Sequence, residues 1–137
     1  VIEKFNVYEI WSMTDTGKGQ TQLVYSGGEY FDVHPTWAPD GKNILFSQRS
    51  LGPSTFWLMQ FVVENREFED GSRLDIGPTP IENVEFSPDG FWLVFESIVD
   101  KDNRDIFIMT LDGSTLIRLT LDPSVDFDPT WRPLQNP

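Results

Sequence analysis

Three stretches of this chain, DVHPTWAPDG from Asp32, IENVEFSPDG from Ile81 and DFDPTWRP from Asp126, carry acidic, amide or imidazole side chains just ahead of an aromatic. Aligned on Trp37, Phe86 and Trp131, they place Asp32 with Ile81 and Asp126, and His34 with Asn83 and Asp128, with Glu82 beside Asn83. A column of such oxygen and nitrogen donors can hold a cation, a water cluster or the polar terminus of a partner. The same residue types also satisfy backbone N–H groups where a strand begins, or solvate a channel. Sequence alone leaves both readings open. His34 is the single histidine and cysteine is absent. An imidazole is the obvious base or metal ligand. One imidazole with no thiolate cannot build the usual transition-metal clusters, so a hydrogen-bonding role at a strand entry is the favoured reading.

Other candidates are weaker. Asp100 to Asp105, DKDNRD, partly resembles a calcium loop, but the fifth position is Arg104 and no glycine follows, so the metal reading is disfavoured. Ser47, Ser87 and Ser97 lie in no G-x-S-x-G elbow. Arg104, Asp105 and the acidic strand ends read as solvated rims. Trp11, Trp57 and Phe107 are expected in strands, packing between layers of the fold, with an aromatic platform for a sugar as the less favoured alternative. No residue is singled out as catalytic, and no cofactor or metal is expected.

The elements that position these residues repeat as well. The three aromatics fall 49 and 45 residues apart, a period that signals a stacked or radial array. Pro39-Asp40-Gly41 and Pro88-Asp89-Gly90 are turns by mechanism, since proline presets φ and glycine accepts positive φ. Around the first turn the pattern gives strands at His34–Trp37, Asn43–Ser47, Phe56–Val63 and Arg73–Ile76, then a connector over Gly77–Pro80. Around the second it gives Glu82–Phe86, Phe91–Ser97, Asp105–Thr110 and Thr115–Thr120. A hairpin of Tyr8–Met13 and Gln22–Tyr25 precedes these units, and a lone strand, Val125–Trp131, follows. Eleven strands result, divided as 1–28, 29–78, 79–122 and 123–137. Val1–Val7 is too short to classify beyond a strand tail.

Composition fits an all-β domain: 11 Phe, 5 Trp and 3 Tyr supply the core of 137 residues, while ten Gly and ten Pro supply turns. The formal charge of −12 repels phosphate backbones, so nucleic acid is excluded as a partner. No apolar run is long enough to span a membrane as a helix. The opening residues, inside a β-like pattern and without methionine, suggest a segment of something longer.

PTWAPDGKNILF, VEFSPDGFWLVF, DIFIMTLDG and IRLT resemble the WD40-like repeat of TolB-type β-propellers, and EIWSMTDTG matches DIFIMTLDG. The resemblance implies four-stranded antiparallel blades around a channel, usually about six per ring, of which about three are present. It implies that Asp32, His34, Glu82, Asn83, Asp126 and Asp128 lie near the channel mouth, and that Val125–Trp131 is a closing strand. An extracytoplasmic setting is implied by the same analogy. Physical reasoning adds that an open fan of blades leaves faces and edges wanting partners, supplied by further blades or by a second copy of the chain. The function expected is non-catalytic binding of a protein or peptide. The alternatives are part of a propeller enzyme, either an acidic-sugar lyase or the propeller of a prolyl-oligopeptidase-type hydrolase, and a purely structural, self-assembling remnant.

Overall fold

The computed structural model describes residues 7–50, 56–64, 73–74, 76, 80–100 and 102–133. The strand tail expected over 1–6, most of the 77–80 connector and the last residues of the tail lie outside this set. Among the described residues there are ten strands and no helix. A hairpin of β1 (Ile10–Ser12) and β2 (Thr21–Val24) forms a two-stranded sheet. β3 (Tyr30–Trp37), β4 (Asn43–Ser50), β5 (Phe56–Val62) and β6 (Arg73–Leu74) form an antiparallel meander, and β7 (Glu82–Phe86), β8 (Trp92–Asp100), β9 (Asn103–Thr110) and β10 (Leu116–Arg118) form another.

The second strand of each four-stranded sheet is buried on both faces: Ile44 to Ser47 in β4 and Leu93 to Ser97 in β8. That is why these runs read as unbroken apolar stretches and not as alternation. Two hydrophobic clusters follow. Ile10, Val24, Ile44, Phe46 and Phe61 join the hairpin to the first four-stranded sheet. Leu45, Leu58, Ile81, Val84, Leu93, Phe95, Phe107 and Met109 join that sheet to the next. Consecutive residues of β4 point into opposite clusters, so the sheets stack face to face like blades.

The two proline-glycine turns form as their chemistry dictates. Gly41 N–H donates to Ala38 O and Gly90 N–H to Ser87 O, both at 2.9 Å, with φ of 69° and 78° at the glycines. The turn joining β9 to β10 adds a carboxylate: Asp112 accepts from the Thr110 hydroxyl at 2.6 Å and from Ser114 N–H at 3.0 Å. Those donors, the hydroxyl first, hold its pKa down to about 2 from an ordinary 3.8. A depressed carboxylate stabilises the fold fully above the unfolded value and loses that contribution as pH falls through the folded one. The turn should therefore hold at pH 5 and loosen as pH drops from about 4 towards 2. Carboxyl NMR titration together with Ser114 amide exchange checks this, and titration at the ordinary aspartate value would refute it.

Two expectations need correction. Val125–Trp131 is not part of a ladder among the described residues; it lies against the last sheet through single bonds, such as Asp126 N–H to Arg104 O at 2.9 Å. Trp11 is in β1 as expected but is 57% exposed, since no described residues form a layer on the other side of the two-stranded sheet, whereas Phe107 is buried between sheets. Trp57 is half-buried, edge-on to Tyr30 at 6.5 Å with Arg73 over its ring at 4.8 Å.

Candidate functional site

The innermost strands are interrupted at the same place. Between Val33 and Thr36 β3 has one residue more than β4, and between Glu82 and Glu85 β7 has one more than β8. Each interruption begins with a non-glycine residue in the left-handed region: His34 at φ 53° and Asn83 at φ 49°, with Asp128 at φ 52° in the third copy. Histidine, asparagine and aspartate tolerate this conformation better than other side-chained residues. The bulge thus explains the residue types at His34 and Asn83 and lifts both out of the ladder, while Asp128 takes the same backbone outside any described strand. Together with Pro35, Thr36, Val84, Glu85 and Pro129 they line an open concavity of about 210 Å³. Asn83 Nδ2 donates to Asp128 Oδ1 at 3.1 Å, so two of the three are directly linked.

Behind the concavity lies a network that sequence reasoning misses. Arg104, expected on a solvated rim, places Nη1 2.8 Å from Glu82 Oε2 and 3.0 Å from Glu96 Oε2. The Glu82 hydrogen bond, chiefly, raises the guanidinium pKa further. Glu96, buried, also accepts from Asn83 Nδ2 and, at 3.3 Å, from the Asp128 backbone N–H. Glu85 accepts from Trp131 N–H at 3.1 Å through its carboxylate, and from the indole N–H at 3.2 Å through its carbonyl. Asp105 is no rim residue either: it is fully buried and paired with Arg118 and Asn103. The signal available is repeat position, since Arg104 aligns with Tyr8, whose carbonyl accepts the Asp32 N–H at 3.1 Å just as Arg104 O accepts the Asp126 N–H at 2.9 Å.

The other predicted residues stand apart from the concavity. Asp32 is buried, accepting from the Ser26 hydroxyl and from Gln48 Nε2 at 2.8 Å. Burial raises its pKa, the two donors oppose this, and Glu9 adds to the rise. Ile81 occupies the equivalent place in the next repeat, where the residue opposite is Ser97, whose buried hydroxyl has no partner. Asp126 is half-buried, and its Oδ2 likewise has no partner where Asp32 meets Gln48 of the adjoining strand. Among the described residues no group of three His, Asp or Glu is placed to hold a metal ion.

No family profile matches the chain. It is 30% identical over 122 residues to the Tol-Pal system protein TolB of Anaeromyxobacter dehalogenans strain 2CP-C, and equally to that of Anaeromyxobacter sp. strain K. These matches cover 88% of the chain, which spans only 26% of either relative's length. Among solved structures, a TolB candidate from Agrobacterium tumefaciens superposes with a TM-score of 0.69 at 22% identity, over 93% of this chain and 43% of the other. An oligogalacturonate lyase in complex with manganese gives 0.62 at 14%, over 84% and 30%. TolB from Acinetobacter baumannii gives 0.60 at 21%, over 82% and 26%. The repeated aromatic core, the stacked four-stranded meanders and these likenesses together support a TolB-type β-propeller family for this chain.

Proposed function

We propose that the chain is a non-catalytic segment of a propeller that binds a protein or peptide at the concavity formed by His34, Asn83 and Asp128, in an extracytoplasmic setting. The observation that carries this reading is the left-handed backbone shared by His34, Asn83 and Asp128, at a bulge in the first two, which presents three polar side chains side by side in successive repeats. The His34 ring, the Asn83 side-chain carbonyl and the Asp128 carboxylate then remain for a ligand's polar groups, while the Asn83 amide N–H groups hold Glu96 and Asp128. Glycine keeps the left-handed backbone while deleting the side chain, so His34→Gly, Asn83→Gly and Asp128→Gly together test recognition without refolding the strand. A photo-crosslinking residue at Thr36, beside the concavity, should capture a partner, while one at Lys42, beyond the turn at the other end of the strand, should not. The triple glycine variant should lose the Thr36 adducts. Equal capture at both positions, or capture that survives the triple variant, refutes the reading.

The lyase alternative draws support from fold similarity alone, at 14% identity. Formation of unsaturated product from oligogalacturonate by this chain would establish it instead.

Ring completion is part of the proposal. Between the hairpin and the next sheet, Ile10, Trp11, Met13, Leu23, Trp37 and Ile44 are among the residues lining a cavity of about 250 Å³, and at the far end Val125 and Phe127 are 50% and 67% exposed. Further blades or a second copy would cover both. Light scattering on the isolated chain separates the two: self-completion gives twice the 15.8 kDa chain mass. A monomer leaves completion to further blades.

A further inference from the structure

Arg49, near the end of β4, is flanked in the ladder by Phe31 of β3 and Phe56 of β5, so the three side chains form one row across the sheet. Its guanidinium carbon sits 4.8 Å from the Phe31 ring centroid and 5.3 Å from that of Phe56. Tyr8, 66% exposed, extends the row, with its ring 5.8 Å from Phe31. Both contacts are at cation–π distance, which leaves the N–H groups of the guanidinium to hydrogen bonding. These include a buried Nε without a hydrogen-bond partner. Arg104 and Arg118, by contrast, each pair with carboxylates. In a chain with 22 Asp and Glu, a half-buried arginine whose Nε meets no acceptor is a feature to be explained.

We propose that Arg49, held between Phe31 and Phe56, is a docking point for a carboxylate on a bound peptide or protein. A planar fork whose rotamers are fixed before binding loses little entropy on forming two parallel bonds to a carboxylate. The charge of −12 works against free anions at long range. A carboxylate delivered by a partner already held elsewhere escapes that penalty. Phe31 lies three residues ahead of His34 on the same strand, so the inference rests on the protein-binding reading of this end of the blade and names part of the partner's chemistry.

The test uses the full chain and three probes: acetyl-triglycine with a free C-terminus, its C-terminal amide, and acetyl-Gly-Asp-Gly-amide. The ¹³C resonance of the peptide carboxylates and the Arg49 Nε–Hε resonance are followed together. A saturable shift with either carboxylate probe, absent with the amide and with matched sodium chloride, is expected. Which carboxylate probe binds more tightly tells a terminus from a side chain. Arg49→Lys keeps the charge without the fork and should weaken binding about tenfold, equivalent to about 1.4 kcal/mol. No saturable shift, an equal shift with the amide, or undiminished binding by Arg49→Lys overturns the proposal. Loss of Thr36 crosslinking specificity while Arg49 still binds carboxylate would refute the concavity alone, so the two failures are distinguishable.

Discussion

Phe95→Ala is expected to lower the unfolding free energy by about 3–5 kcal/mol. Phe95 is fully buried at the centre of β8, stacked on Phe107 with centroids 5.7 Å apart and planes 13° from parallel. It belongs to the cluster that joins the two four-stranded sheets. Removing the ring forfeits its transfer free energy and leaves a cavity that two rigid sheets cannot close. A domain of this size has about 5–15 kcal/mol in total, so the loss is a large fraction of the whole. Phe95→Leu, which preserves more of the volume, should cost less, roughly 1–1.5 kcal/mol. Phe91→Ala, at a 70% exposed position, should stay within about 0.5 kcal/mol of the parent. Urea denaturation followed by circular dichroism gives all three values. A Phe95→Ala cost no larger than that of Phe91→Ala would mean that the sheets do not stack as described.

What is legible in the sequence follows from how local its physics is. Pro39-Asp40-Gly41 and Pro88-Asp89-Gly90 announce their turns because proline and glycine restrict or release φ regardless of context. Ile44–Phe46 and Leu93–Phe95 announce central strands because burial on both faces leaves no polar position. The candidate site is only half legible. His34, Asn83 and Asp128 stand out as an aligned polar column, but their shared left-handed backbone, set at His34 and Asn83 by cross-strand register, is not shown by spacing. Arg104 and Asp105 read as solvated because charged residues usually are. Their burial depends on the segment around Asp126 folding back on the sheet and on Arg118 reaching across from β10, both long-range events. Arg49 does not stand out, because nothing in its neighbours along the chain predicts two phenylalanines brought beside it by the ladder.

Arg104→Met is expected to cost about 3 kcal/mol or more at neutral pH and to dismantle the concavity along with it. The guanidinium is the cation shared by Glu82 and Glu96, whose side chains are only 10% and 3% exposed. Methionine fills much of the arginine's volume, so the loss is chiefly that of leaving two carboxylates close together and poorly hydrated without a counter-charge. Glu96 also anchors the Asn83 side chain and the Asp128 backbone, the two points where the concavity meets the last segment of the chain. A displaced Glu96 therefore loosens the site as well as the sheet, and Thr36 crosslinking should fall in proportion. Two structural roles remain to be separated, charge balance and packing. Glu82→Gln with Glu96→Gln in the Arg104→Met background removes the stranded charges while keeping hydrogen-bonding groups, and should return most of the lost stability. Full recovery assigns the arginine to charge balance, whereas no recovery would show that the ion pairs contribute little and that the arginine's stem holds the blade by packing. The coupling between the arginine and the two glutamates, read as the difference between the combined variant and the sum of its parts, should be about 2 kcal/mol.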